Sequence, residues 1–186
     1  MNSFAKALAA LTATVLCFGL TVLLVAWPKY TELRQSKNWD IVATDQPQAE
    51  LDGVSVDVDQ ARAFILPSRD DRASVYLRLG LKGAAMKDWT FCDLALTDSK
   101  GRQWFPLTND LGRAIQRALS DDPRSEDDCS RSLNAEPEAG TFSYSGQTFL
   151  LPVEALDDLR VQLSGLSTRP KAISLPFKPV LRQIPQ

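Results

Sequence analysis

Hydrophobic residues along this chain fall into two regimes. From Ala7 to Trp27 no side chain is charged, whereas beyond Pro28 the apolar positions come in short runs divided by charged and turn-forming residues. At about 1.5 Å rise per residue the first block makes a helix of roughly 31 Å, which matches the hydrocarbon thickness of a bilayer. The pattern therefore predicts a lipid-facing span through residues 7–27. Trp27 and Tyr30 stand at its far end, where an interfacial aromatic belt belongs, and Pro28 is expected to end the helix.

Three fates are open to such a segment. A cleaved export signal has an apolar core of about 7–15 residues and small residues before the cut. Here the core is longer, and a cut after Ala26 would have bulky Leu24 before it and Trp27 behind it. A lipoprotein signal needs a small residue just ahead of its cysteine, but Cys17 follows Thr14-Val15-Leu16 in mid-span and reads as a small apolar residue. A buried core helix is the third. The uncleaved anchor, residues 1–28, fits best.

Residues 29–50 are polar, contain Pro47 and hold no firm period, so they read as a stalk. Strand signals follow. Val54, Val56 and Val58 alternate with Ser55, Asp57 and Asp59, and the run Ala61 to Leu66 continues the strand past a bulge. Arg69-Asp70-Asp71-Arg72 is expected as a charged turn. Val75, Leu77, Leu79 and Leu81 form the clearest alternation. Trp89 to Thr97 is a strand with Cys92, Leu94 and Leu96 on one face; Asp98-Ser99-Lys100-Gly101 turns it back into Arg102 to Leu107.

A helix is predicted next, its stripe formed by Leu111, Ala114, Ile115, Ala118 and Leu119, with Asn109 or Asp110 as its cap. Ser120 to Gly140 reads as a polar loop. Three more strands, Thr141 to Leu151, Leu159 to Leu166 and Ala172 to Phe177, complete a domain over residues 51–180, with 181–186 as a tail. About seven strands at this spacing predict an antiparallel β-sandwich with one inserted amphipathic helix.

Composition narrows the function classes. The chain is 44% hydrophobic and 24% charged, with a net charge of −2, which is globular rather than disordered. It has no basic block, and nucleic acid is not an expected partner. It has no histidine, which removes Ser-His-Asp and Cys-His nucleophile systems and the commonest metal ligand. Its nine glycines are scattered, and no phosphate-cradling loop appears. No cofactor is expected.

Several residues resemble a known group. The strand Val75 to Leu81, the run Cys92-Asp93-Leu94-Ala95-Leu96-Thr97-Asp98 into Gly101-Arg102-Gln103-Trp104, and Gly146-Gln147-Thr148-Phe149-Leu150-Leu151-Pro152 before Leu159-Arg160-Val161 resemble the telokin-like, immunoglobulin-fold domains of anchored bacterial envelope proteins. The likeness spans about residues 52–178. It implies an immunoglobulin-like sandwich serving as a binding or accessory module without a shared catalytic site. The chain departs from that group in lacking a lipoprotein cysteine and in carrying the inserted helix and acidic loop.

Four sets of residues are candidates for chemistry or contact. Cys92 and Cys129 are a candidate disulfide pinning the long loop to the sandwich; a redox or metal pair and two separate thiols are the alternatives. The run Asp121 to Asp128 gathers carboxylates that suit Ca²⁺, but its spacing does not follow a Ca²⁺ loop, so a solvated surface is expected. Asp57 and Asp59 share a strand face and are a candidate carboxylate pair for acid–base work, with water as the expected neighbour. Trp89 and Phe91, opposite in parity to Cys92 and Leu94, together with Arg113 and Arg117 on the polar face of the helix, are expected to form a partner surface.

Flanking charges bear on orientation. Lys29, Arg34 and Lys37 follow the span, while only Lys6 and the amino terminus precede it, which favours a cytosolic domain. The short N-terminal tail and the two soluble-domain cysteines favour export. The expected protein is a single-pass inner- or plasma-membrane anchor. It holds an extracytoplasmic, non-catalytic module on another envelope component. An anchored hydrolase with paired carboxylates and a cytosol-facing adaptor are the alternatives.

Overall fold

The computed structural model describes residues 3–30, 40–122, 127–134 and 141–182, with side chains from residue 10 onward. Helix α1 starts at Ser3–Thr21, passes through a π turn at Val22–Ala26 and continues helically to Tyr30. It does not stop at Pro28. A proline removes an N–H and crowds the carbonyl one turn back. The π turn lies directly ahead of it, and there the Trp27 N–H bonds to the Val22 oxygen, five residues back, which re-registers the helix before the ring. None of residues 10–30 is buried, and Ala10–Tyr30 is long and apolar enough to span a membrane, with a mean hydropathy of 2.2. The Thr14 and Thr21 hydroxyls donate to the Ala10 and Cys17 carbonyls, so both are satisfied inside the helix.

The remainder is mainly β, in two sheets. Strands β1 (Asp40–Ala43) and β2 (Gln48–Leu51) fall inside the stretch read as a stalk. β1 is exposed on both faces and β2 is only four residues long, so neither prints a clear alternation on the sequence. The others are β3 (Val54–Leu66), β4 (Arg69–Lys82), β5 (Cys92–Thr97), β6 (Gln103–Trp104), β7 (Ser143–Pro152), β8 (Leu159–Gly165), β9 (Lys171–Phe177) and β10 (Val180–Leu181). One sheet runs β1-β9-β8-β5-β6. The other runs β10-β3-β4-β7, with β2 also on β3. Pairing is antiparallel except at two edges, where β1 lies parallel to β9 and β10 parallel to β3.

The long strand β3 carries the expected bulge. Val58 pairs with Leu79 and Gln60 with Arg78, which leaves Asp59 as the extra residue. The turn into β4 is Pro67-Ser68, closed by the Leu66–Arg69 pair, and the charged Arg69 to Arg72 run is already strand. Val75, Leu77, Leu79 and Leu81 of one sheet face Leu94, Leu96, Val161, Leu163, Ile173 and Leu175 of the other in one buried core.

Helix α2 (Asp110–Leu119) starts at Asn109, whose side chain accepts from the Gly112 N–H. It buries Gly112, Ile115 and Leu119, while Leu111, Ala114 and Ala118 are exposed. The predicted stripe is therefore rotated. The glycine decides this: a Cβ at Gly112 would lie 2.4 Å from the Leu107 oxygen, so this side of the helix alone can sit close to the sheet. Ile115 and Leu119 cover Tyr76 on the outer face of β4. Within the loop read as polar, α3 (Cys129–Asn134) buries Cys129, Ser132 and Leu133. One turn and a half with two apolar residues is too short to give a periodic signal.

Candidate interaction surface

The sandwich has two ends. At one lie the start of β5, the end of β8, the start of β9, and Asp40, where the chain arrives from α1; the Asp40 N–H donates to the Pro170 oxygen at 3.1 Å. Lys171 reaches Asp52 of the other sheet at 3.8 Å, so both sheets share this end. At the opposite end lie the Asp98–Gly101 turn, Glu154 and Asp158.

At the Asp40 end the chain makes an unusual turn. Met86–Trp89 forms a 3₁₀ turn, Thr90 takes φ 58°, ψ −63°, and the Phe91 N–H returns to the Trp89 oxygen at 2.7 Å. This is a γ-turn of the positive-φ form, rare because it is strained, and rarer still for a β-branched residue. Such a conformation costs on the order of 1–3 kcal/mol. Its effect is to reverse the side-chain direction: Trp89 is 1% exposed, Phe91 63%. The Leu166 N–H donates to the same Trp89 oxygen, also at 2.7 Å, so Leu166, 49% exposed, stands beside Phe91.

Trp89 is thus core, not surface. Its position in a helical turn ahead of β5 cancels the strand parity on which the expectation rested. Beneath it Gly165 leaves no room for a side chain, since a Cβ there would lie 2.5 Å from that of Trp89. Cys92 and Cys129 form a disulfide next to this turn, with Cα atoms 5.6 Å apart, tying β5 to α3. The Cys92 N–H also donates to Ser130 Oγ at 3.2 Å.

Arg113 and Arg117 are exposed on α2, against the sheet that does not carry Phe91. The four residues expected to form one surface are therefore not brought together. One is in the core, one is exposed at the Asp40 end, and two lie over the outer face of β4 and β7.

That outer face has an open cleft of about 520 Å³ where α2 does not reach, lined by Gln48, Glu50, Ser55, Asp57, Lys82 and Phe142. Two cations of β4 lie over aromatic rings: Lys82, in the lining of the cleft, is 5.5 Å from the Phe142 ring centre, and Arg78, farther along the strand, is 4.0 Å from that of Tyr144. Asp57 is half-buried rather than bathed in water. Burial pushes its carboxyl above the ordinary range, and the neighbouring Asp59 charge adds to this. Its Oδ1 is buried against Gly80, whose added Cβ would lie 2.2 Å from it. Asp59, the bulged residue, does not line the cleft; Arg78 holds it at 3.2 Å. The two acids do not converge on the cleft.

In the acidic run, Asp121 accepts from Arg62 and Gln60, and these bonds hold its carboxyl down at about 2. Arg62 is itself buried and also donates to the Leu119 oxygen, capping α2. Asp128 caps α3 through the Arg131 N–H at 3.0 Å. Pro123–Glu126 lie outside the described residues. Among the described residues no group of three or more acids and cysteines is arranged to hold a metal ion.

Two contributors carried no sequence signal. Arg160, an outward residue of β8, donates to the Thr44 oxygen at 2.6 Å and to the Ser174 oxygen at 2.8 Å, fastening the segment after β1 to the sheet. Leu166 was legible only as a strand end. Comparison of the chain with protein-family models, curated proteins and solved structures finds no match.

Proposed function

We propose that this chain is a single-pass membrane protein whose extracytoplasmic sandwich is a non-catalytic binding or accessory module for another component of the cell envelope. The observation that carries the reading is an apolar helix with no buried residue among residues 10–30, joined through nine residues (31–39) to a disulfide-closed β domain. Disulfides persist in oxidising compartments, which favours the exported side over the cytosol despite the flanking charges.

We also read the domain as immunoglobulin-like. Strands β3, β4 and β7 in one sheet against β9, β8, β5 and β6 in the other give seven strands that cross between sheets in the Greek-key manner. This supports the likeness to the telokin-like envelope domains. An anchored hydrolase is the second reading: its carboxylates would be Asp57 and Glu50, which line one cleft, since Asp59 is held by Arg78 instead.

Topology is tested by labelling spheroplasts with a membrane-impermeant maleimide. The chain should be labelled only after an impermeant reductant opens the disulfide. Labelling without reductant, or only after lysis, overturns the exported reading. For the module, cross-linking in intact membranes should give one discrete heterologous species with the full chain. A ladder of non-specific products, with hydrolysis of envelope polymer abolished by Asp57→Asn, would establish the enzyme instead.

A further inference from the structure

We propose that the anchor end of the sandwich is a lipid-contacting face, on which Phe91 and Leu166 insert into the same bilayer that holds α1. This rests on the anchored reading but not on any protein partner. Ten Cα steps join Tyr30 to Asp40, and fully extended they reach at most about 36 Å. The domain therefore stays near the surface, and the chain enters it at Asp40. Asp40 bonds to Pro170, in the same connection between β8 and β9 that carries Leu166. The tether thus arrives at the end that presents the two apolar side chains, rather than at the polar turn Asp98–Gly101.

Three further features make this end a built surface. Phe91 is driven outward by a strained backbone turn at Thr90; strain of this kind persists only where the surrounding structure over-determines it, and it clusters at functional sites. Phe91 and Leu166 share one hydrogen-bond acceptor and lie over a rigid base of Trp89, Gly165 and the Cys92–Cys129 bond. Cations are not in excess among these described residues: Arg169 holds Asp93 at 3.1 Å, Lys171 holds Asp52 at 3.8 Å, and Lys87 is matched by Asp88 and Asp40. Binding by this face is accordingly apolar, and it suits zwitterionic headgroups as well as anionic ones.

The test uses the full chain carrying Cys17→Ser, with its disulfide intact, in phosphatidylcholine vesicles. A nitroxide is placed through Ser167→Cys, beside Leu166, or through Ser99→Cys at the far end. Relaxation by oxygen, which concentrates in lipid, is compared with relaxation by a water-soluble nickel chelate. The expected ratio is several-fold higher at position 167 than at 99, and it drops to the value at 99 when Phe91→Ser and Leu166→Ser are added. Equal ratios at the two positions in vesicle-integrated protein overturn the lipid-contacting face and leave the anchor standing. Release of the chain from vesicles by alkaline carbonate overturns the anchor and this face with it.

Discussion

Thr90 shows how one residue sets the character of an entire end of the molecule. At φ 58° it turns Trp89 inward and Phe91 outward within three positions. Glycine accepts such a dihedral without strain but adds about 0.5–1 kcal/mol of backbone entropy to the unfolded chain. Set against on the order of 1–3 kcal/mol of strain, Thr90→Gly should stabilise the fold by roughly 1 kcal/mol. The expected readout is a rise in the urea midpoint of the detergent-solubilised chain with an unchanged m-value; a lowered midpoint would show that the turn is not strained. Asp121 acts through charge. Its ordinary 3.8 falls to about 2 in the fold, chiefly through the Arg62 hydrogen bonds and then that of Gln60. A carboxyl held down in the folded state adds stability that is complete above about 3.8 and is lost as pH falls toward about 2. In Asp121→Asn the decline of the thermal midpoint between pH 4 and 2 should be shallower than in the parent. Asp57 works in the reverse sense, since its raised pKa makes ionisation in the fold unfavourable, so Asp57→Asn should gain stability near neutral pH.

Among the elements, α2 separates what periodicity can and cannot decide. Its existence, its start at Asn109 or Asp110 and its amphipathic character were all readable; the structure chose Asn109. Its rotation about its own axis was not, because Leu111 and Ala114 fit an apolar stripe as well as Gly112 and Ile115 do. Close approach settled the choice at Gly112. Gly112→Ala gains about 1 kcal/mol of helix propensity, but its Cβ meets the Leu107 carbonyl at 2.4 Å, a backbone atom that cannot swing aside. Overpacking of this kind costs typically 1–3 kcal/mol, so a net loss of roughly 1 kcal/mol is expected, whereas exposed Leu111→Ala should change stability by less than about 0.5 kcal/mol. Equal losses in denaturant titration would restore the predicted stripe. The same limit explains β1, β2 and α3. Each is too short to repeat a period, and each is held by partners distant in sequence: β9 for β1, β3 for β2, and β7 for α3.

For the whole molecule, the disulfide joins the strand that starts at the Asp40 end to a helix 37 residues onward. Closing a loop of that length stabilises a fold by about 4 kcal/mol on the chain-entropy model. Reduction should therefore lower the thermal midpoint by on the order of 10 °C, read by comparing melts with and without dithiothreitol; coincident melts would mean that the bond adds nothing. If the bond also braces the turn at Thr90, the accessibility contrast between positions 167 and 99 should weaken on reduction.

By itself the sequence determined the apolar block, most strands between Val54 and Phe177, the bulge in β3, the cap of α2 and the candidacy of Cys92 and Cys129. These follow from local period, composition and turn chemistry. Only the tertiary structure decided that those cysteines meet, that Trp89 is buried while Phe91 is not, and that Arg113 and Arg117 lie away from both. It also decided that the chain returns from α1 to the end where Leu166 stands. Side-chain direction at a strand end depends on one backbone dihedral, and shared location depends on sheet order. Neither leaves a periodic trace along the chain.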